Sequence, residues 1–195
     1  VGDSSGKYVP NEFTFTRGSN LSATRVNADG YIEKGYENLL LQSNQFDTTP
    51  WKNANATPTS GQSGYDGTND AWLLQSATTG QSFRYYDISV SSVYTISIYA
   101  KAGTTNWFFF YAVNGGGAWF DLQNGVVGTK NSGVISSTIE SVGNGWYRCS
   151  ATYNGGLSSM RVYLSDGNNN VNSTLGANIY IQDAMLNQGL VAYPY

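Results

Sequence analysis

Hydrophobic and polar residues alternate in short segments along most of the chain, a spacing that is typical of β-strands with one buried face. In Tyr94–Ala100, for example, every second residue is apolar. The other clear segments of this kind are 72–75, 82–90, 107–112, 135–142, 146–153, 160–165 and 177–186. No window of about ten residues or more has the periodicity and caps of an amphipathic helix. We therefore predict an all-β fold with about ten short strands, a β-sandwich of jelly-roll type built from two antiparallel sheets.

The most aromatic segment, Trp107–Tyr111, is followed by the glycine-rich Asn114–Gly117 and then by Trp119–Leu122, an order that predicts a β-hairpin. Side chains of a strand alternate between its two faces. The expected core face of this hairpin carries Phe108, Phe110, Ala112, Phe120 and Leu122. The opposite face carries Trp107, Phe109, Tyr111, Trp119 and Asp121. Because a sandwich buries one face of each sheet, the second set predicts an aromatic surface with a function, although cover by a second sheet or by a loop is an alternative for each residue.

Residues 1–37 are predicted to be a polar arm with a small β appendage, and residues 38–195 the sandwich itself. Within the appendage, Phe13–Thr16 alternates as a short strand. Thr24–Val26 and Tyr31–Glu33 lie on either side of an Asp-Gly pair, which is a strong signal for a hairpin turn.

The composition limits the classes of partner. Only 12% of the 195 residues are charged, and the net charge is −3. The chain has no run of basic residues, so the electrostatic footprint of a nucleic-acid-binding protein is missing. Its longest apolar runs are far too short for a membrane span, and no signal peptide is visible. Abundant Gly, Ser, Thr, Asn and Tyr are typical of an extracellular all-β domain.

The chain has few of the groups used in catalysis. It contains no histidine, which excludes Ser–His and Cys–His nucleophiles and the commonest zinc ligand. The only cysteine, Cys149, is predicted to be a small buried hydrophobic residue. A glycosidase needs two carboxylates at a defined separation, and no motif pairs Asp87, Asp121 or Glu140. We predict that the chain is not an enzyme, with a β-eliminating lyase of Tyr/Arg type left open.

Several segments resemble known families. Asn38–Trp51 (NLLLQSNQFDTTPW) and Ile179–Gly189 (IYIQDAMLNQG) resemble the opening and the closing strand of jelly-roll carbohydrate-binding modules for xylan and β-glucan. A closer resemblance, over residues 13–195, is to domains appended to tail and virion proteins of bacteriophages, marine ones especially. It rests on YTISIYAKAGTTNW, FDLQNGVVGT and VGNGWYRCSATY. This resemblance implies a non-catalytic, lectin-like sandwich that is extracellular or associated with a virion.

The resemblance also bears on calcium. In the enzyme-appended modules, one acidic residue after the Phe and one in the closing strand help to hold a structural calcium ion, and the corresponding residues here are Asp47 and Asp183. Oxygen ligands of this kind suit a hard cation. The chain departs from the pattern, because Asp47 stands where Glu is usual and Gln182 precedes Asp183. We expect no required cofactor, with structural calcium as an open alternative and residues 66–70 as an ordinary turn.

Pyranose rings stack on aromatic side chains, and their hydroxyls bond to Asn, Asp, Gln and Arg. The predicted binding surface is therefore the aromatic face, together with side chains from 160–165 and 83–86. Its residues are Trp107, Phe109, Tyr111, Trp119, Asp121, Arg161, Tyr163, Arg84 and Tyr85. The face on which Arg84 and Tyr85 lie is left open. Trp51, Trp72 and Trp146 are predicted to be core or loop anchors.

Two functions of different classes are compatible with this surface. The favoured one is a non-catalytic carbohydrate-binding module for a neutral polysaccharide or oligosaccharide, a glucan such as laminarin. The alternative is a structural domain of a phage tail or virion, whose aromatic face packs against a neighbouring chain in a homo-oligomer. An accessible aromatic surface favours the first, and the same surface buried between chains favours the second.

Overall fold

The computed structural model describes residues 37–195 and, before them, the backbone of β1 (Thr24–Val26) and β2 (Ile32–Lys34). These two strands pair antiparallel, with Val26 opposite Ile32, as the hairpin signal predicts. The predicted strand at Phe13–Thr16 lies outside the described residues. The chain divides into two compact units, Val1–Glu37 and Asn38–Tyr195.

The second unit contains two antiparallel sheets of six strands each. Sheet A contains, in spatial order, β10 (Val126–Lys130), β9 (Gly116–Asp121), β8 (Trp107–Ala112), β13 (Met160–Ser165), β6 (Phe83–Tyr86) and β3 (Lys52–Ala54). Sheet B contains β11 (Val134–Gly143), β12 (Trp146–Tyr153), β7 (Tyr94–Ala102), β14 (Asn178–Gln188), β5 (Ala71–Ser76) and β4 (Ala56–Gln62). The predicted two-sheet β-sandwich is thereby confirmed. The described part of the chain contains no helix that is long and apolar enough to span a membrane.

β10 lies in a segment where the pattern alone predicts a connection, and β4 lies in one where it predicts a loop and a weak strand. β10 contains Gly128 and is flanked by Gly125 and Gly133, yet Val126 pairs with Asp121 at the edge of sheet A. β4 contains Pro58 and Gly61, which have low strand propensity, and it pairs with β5 at the edge of sheet B. In both cases the neighbouring strand determines the conformation, and edge positions tolerate residues that a central strand does not.

The core lies between the sheets and follows the predicted alternation. Phe108 and Phe110 of β8 are completely buried and pack against Phe120 of β9, with ring centroids 5.0 and 6.0 Å away. Ile96 and Ile98 of β7 contribute from sheet B. Burial of each such side chain stabilises the fold by about 1.5–3 kcal/mol relative to leaving it in water.

The predicted anchors are also buried. Trp51 and Trp72 pack against Phe46, with ring centroids 4.9 and 6.1 Å from it, and Trp146 is 1% exposed on the outer side of sheet B. Cys149 is fully buried in the core, which raises the pKa of its thiol well above the usual value. The predictions for these four residues are confirmed.

Candidate functional site

The outer face of sheet A, opposite to the core, carries most of the predicted binding residues. Along β8, Phe108 and Phe110 belong to the core, whereas Trp107, Phe109 and Tyr111 belong to a separate cluster on the outer side. The predicted alternation of faces is therefore confirmed. Whether a ligand can reach these rings depends on what covers them.

The middle of this face is an aromatic cluster formed by Phe109, Trp119 and Tyr163. These residues lie side by side on three neighbouring strands, because Phe109 pairs with Trp119 on one side and with Tyr163 on the other. The Phe109 and Trp119 rings stack at 3.8 Å with 15° between their planes. All three residues are buried, with exposures of 3%, 3% and 4%.

Residues 166–172, the loop after β13, cover the aromatic cluster. The Trp119 Nε1–H donates to the Asn170 carbonyl oxygen at 2.7 Å, and Val171 packs against the cluster. The Thr129 N–H donates to Asn168 Oδ1 at 2.7 Å, which ties the loop to β10. The loop turns sharply at Asn169, whose φ of 56° is one that asparagine tolerates. As direct stacking surfaces for a ligand, Phe109, Trp119 and Tyr163 are therefore wrong predictions.

Two predicted polar contacts are also corrected. Arg84 lies on the inner side of β6, opposite Val162 of the core, and its guanidinium donates to the Phe46 carbonyl oxygen. Burial there lowers the pKa of Arg84. Asp121 is 5% exposed, and its carboxylate accepts hydrogen bonds from the backbone N–H groups of Gln123 and Asn124. Arg84 therefore supports the core, and Asp121 stabilises the turn from β9 to β10.

One accessible part of the face is a row of four side chains, here called the exposed row: Tyr111, Arg161, Tyr85 and Lys52. Strand pairing places them next to one another, because Arg161 pairs with both Tyr111 and Tyr85, and Lys52 pairs with Tyr85. Lys52 is exposed and the other three are half-buried. Tyr111 and Tyr85 are two strands apart, roughly 9–10 Å across the sheet.

Arg161 is held at the centre of the exposed row by aromatic rings. Its guanidinium carbon lies 5.0 Å from the ring centroid of Phe83 and 5.8 Å from that of Tyr111. Its Nη1 also donates to the Tyr163 hydroxyl at 3.2 Å. Cation–π contacts of this kind stabilise a guanidinium and restrict its motion. The row therefore presents a pre-positioned hydrogen-bond donor between two tyrosines.

The row ends at an ion pair. Lys52 Nζ lies 2.6 Å from Asp87 Oδ2, and 5.8 Å from the Tyr85 ring centroid. The hydrogen bond from Lys52 lowers the pKa of Asp87, so this carboxylate is ionised at neutral pH and accepts hydrogen bonds. Both side chains are about half exposed, and the contribution of the pair to stability is small.

Sequence reasoning missed three residues of this surface: Phe83, Lys52 and Asp87. Phe83 stacks on Tyr163 at 4.3 Å and contacts Arg161. Phe83 could have been found from the sequence, because it lies two residues before Tyr85 and therefore on the same face of this short strand. Lys52 and Asp87 had no such signal, because their positions depend on the pairing of β3 with β6.

Trp107, the remaining predicted residue, is half-buried and lies two residues before Phe109 on β8. It pairs with Asp121 and Ser165 at the far side of the aromatic cluster. It is therefore not part of the exposed row, and it lines a different pocket at one end of the sandwich.

The two residues expected to hold calcium lie in different surroundings. Asp47 is exposed, whereas Asp183 is 6% exposed and accepts a hydrogen bond from the Tyr65 hydroxyl at 3.1 Å. Burial raises the pKa of Asp183 to about 6, and the charges of Asp70 and Asp66 add to this effect. Among the described residues, no group of three or more acidic or cysteine side chains is arranged to hold a metal ion.

The buried amide of Gln182 occupies the centre of this acidic region. Its Nε2 donates to Asp70 Oδ1 at 2.6 Å and to Asp66 Oδ1 at 3.3 Å, while its Oε1 accepts the Tyr65 N–H at 3.1 Å. A neutral amide thus donates to both carboxylates of the 66–70 turn.

No family model and no curated protein matches this chain. Among solved structures, it is similar to the CBM22-1–GH10 modules of the Clostridium thermocellum endo-1,4-β-D-xylanase 10B, complexed with xylohexaose. The TM-score is 0.43 with 14% identity, over 71% of this chain and 26% of that chain. It is also similar to TmCBM61 in complex with β-1,4-galactotriose, with a TM-score of 0.41 and 9% identity, over 79% of this chain and 100% of that one. The strand order of the two six-stranded sheets defines the sandwich fold independently of these similarities.

Proposed function

We propose that this domain is a non-catalytic carbohydrate-binding module that binds a neutral polysaccharide on the outer face of sheet A, with a glucan such as laminarin favoured. The observation that carries this proposal is the exposed row, in which Tyr111 and Tyr85 flank the Arg161 guanidinium. Tyrosine rings offer flat apolar area at low entropic cost, and the guanidinium and Asp87 supply a donor and an acceptor for sugar hydroxyls.

The charge of the row supports a neutral ligand. Lys52 is paired with Asp87, and Arg161 is engaged with Phe83, Tyr111 and the Tyr163 hydroxyl. The chain as a whole has a net charge of −3, which disfavours a polyanion at a distance. A polysaccharide ligand also agrees with the expected extracellular or virion-associated location.

The absence of catalysis is part of the proposal. Among the described residues, one carboxylate, Asp87, lies next to the exposed row, paired with Lys52, whereas hydrolysis of a glycosidic bond by the usual mechanism requires two flanking carboxyl groups. A lyase of Tyr/Arg type stays an open alternative: Tyr163, whose hydroxyl accepts from Arg161, is 4% exposed, whereas Tyr111 and Tyr85 beside Arg161 are half-buried.

The assembly alternative is supported less well. In that alternative, a neighbouring chain covers the aromatic face. Here the 166–172 loop of the same chain already covers Trp119 and Phe109. What remains for a partner is the narrower exposed row.

Affinity electrophoresis against laminarin, xylan, mannan and alginate tests the proposal, with Tyr85→Ala as the key variant. We expect retardation by a neutral polysaccharide, and binding at least about tenfold weaker in Tyr85→Ala, equivalent to about 1.4 kcal/mol. Tyr180→Ala is a matched control, because Tyr180 is half-buried on sheet B with Lys101 Nζ also 5.8 Å from its ring centroid. Equal loss in both variants, or no retardation by any neutral polysaccharide, would contradict the proposal.

A further inference from the structure

A pocket opens at one end of the sandwich, where residues 104–107 meet residues 174–177. Its volume is about 610 Å³, within the usual range for small-molecule sites. The side chains that characterise it are Thr104, Asn106, Trp107, Asp166, Thr174 and Leu175.

Hydrogen bonds between the two segments fix the walls of this pocket. The Thr104 N–H donates to Asn178 Oδ1 at 3.1 Å, and the Asn178 N–H donates to Thr104 Oγ1 at 3.0 Å. Thr105 Oγ1 donates to the Ser165 carbonyl oxygen at 2.5 Å, which joins the pocket floor to β13. The site is therefore formed before any ligand arrives, and little ordering entropy opposes binding.

Trp107 is the only tryptophan of the chain that a ligand can reach. The other four, Trp51, Trp72, Trp119 and Trp146, are at most 7% exposed, whereas Trp107 is half-buried and lines the pocket. One edge of its ring rests against Gly128, where an added Cβ would lie 2.6 Å from Trp107 Cζ3. A fixed and partly accessible indole is a good surface for the apolar face of a sugar ring.

The polar groups around Trp107 define the ligand class. Among the described residues, the pocket is lined by threonine hydroxyls, the Asp166 carboxylate and the Asn106 amide, whose Nδ2 donates to Gln123 Oε1, and by no Lys or Arg. The Asp166 carboxylate repels negatively charged ligands, and no cation of the lining offsets this repulsion, so phosphates and acidic sugars are disfavoured. Hydroxyl donors, in contrast, can bond to Asp166 and Asn106, and a ring with one apolar face can stack on Trp107.

We propose that this pocket, here called the end pocket, is a second carbohydrate site that binds one or two pyranose units of a neutral saccharide. It is independent of the exposed row. Trp107 and Tyr111 lie four residues apart on β8, roughly 13–14 Å, and Phe109 lies between them under the 166–172 loop. A polysaccharide bound at both sites would gain avidity without any new contact.

Tryptophan fluorescence tests the end pocket alone, because the exposed row contains no tryptophan. Acrylamide quenching is measured with and without laminaribiose, cellobiose, xylobiose and mannobiose, and the difference between the wild type and Trp107→Phe reports Trp107. We expect at least one disaccharide to reduce quenching of Trp107 at least twofold. Asp166 is exposed, so Asp166→Ala should leave the fold intact. We expect this substitution to raise the Kd of the protecting disaccharide about tenfold.

Tyr85→Ala separates this inference from the proposed function. Protection of Trp107 that persists in Tyr85→Ala supports an independent end pocket, whether or not the exposed row binds polysaccharide. The inference is overturned if no disaccharide protects Trp107, if Asp166→Ala leaves the protection unchanged, or if Tyr85→Ala abolishes it. Retardation by a polysaccharide without protection of Trp107 would retain the exposed row and reject the end pocket.

Discussion

The indole N–H of Trp119 donates to the carbonyl oxygen of Asn170 at 2.7 Å, and this bond joins a strand of sheet A to the loop above it. The same indole stacks on Phe109. Trp119 thus connects the cover to the rings beneath it, and it determines how much of the aromatic face remains accessible.

Trp119→Phe should loosen the 166–172 loop. The phenyl ring retains most of the stacking but loses the hydrogen bond to Asn170, and we expect a loss of about 1–2 kcal/mol in unfolding free energy. Hydrogen exchange should become faster in the loop. Trp72→Phe is the control, because it loses a comparable bond to the Asn44 carbonyl oxygen at 3.0 Å elsewhere in the fold. Unchanged loop exchange in Trp119→Phe would contradict the assigned role.

Gly117→Ala should destabilise the domain through the aromatic cluster. A Cβ at Gly117 would lie 2.3 Å from Phe109 Cε2 and 2.4 Å from the Phe110 carbonyl oxygen, so both a ring and the backbone must shift. Overpacking of this kind costs about 1–3 kcal/mol, which urea denaturation will measure. Gly167→Ala, in the covering loop, meets no atom within 4 Å and should be nearly neutral. Similar destabilisation by both substitutions would show that the effect is not one of packing.

Asp183→Asn should stabilise the domain at neutral and alkaline pH. The pKa of Asp183 is raised to about 6 in the folded protein, above the usual value, so the folded state binds this proton more tightly than the unfolded state. The stability from this proton is fully present below about pH 4 and is lost as the pH rises through about 6. Asparagine carries no charge and tolerates the positive φ of 52° at this position.

Melting temperatures of the wild type and Asp183→Asn, measured at several pH values, test this expectation. The variant should melt higher at about pH 8, and the two proteins should converge at about pH 4. A difference that does not vary with pH would mean that the charge of Asp183 is not its cause.

Calcium should have little effect on the wild type. Gln182 already donates to Asp66 and Asp70, so we expect the melting temperatures in excess EDTA and in excess calcium chloride to agree within about one degree. In Gln182→Glu, this donor is replaced by a further carboxylate. That variant should melt lower in EDTA and recover with calcium, since oxygen ligands bind this ion. A large calcium response of the wild type would contradict the expectation.

The sequence was sufficient for the sandwich and for the two faces of the central hairpin, because both depend on strict alternation within a strand. Phe108 and Phe109 were placed on opposite sides for this reason alone. The cover over Phe109 could not be predicted, because residues 166–172 are held in place by hydrogen bonds from Trp119 and Thr129, which are distant from the loop in sequence. The side on which Arg84 lies was equally undetermined, because β6 is only four residues long and both of its faces carry aromatic residues.

The loop at residues 166–172 sets how much of sheet A is accessible from a position outside the core. It contributes no residue to the core between the sheets, and it leaves from and returns to the same region, with the Asp166 N–H bonded to the Asn172 carbonyl oxygen at 3.1 Å. Without this loop, Trp119 and Phe109 would lose the residues that cover them. Replacing this one segment can therefore change which side chains of sheet A a ligand reaches, while the residues of the core between the sheets stay the same.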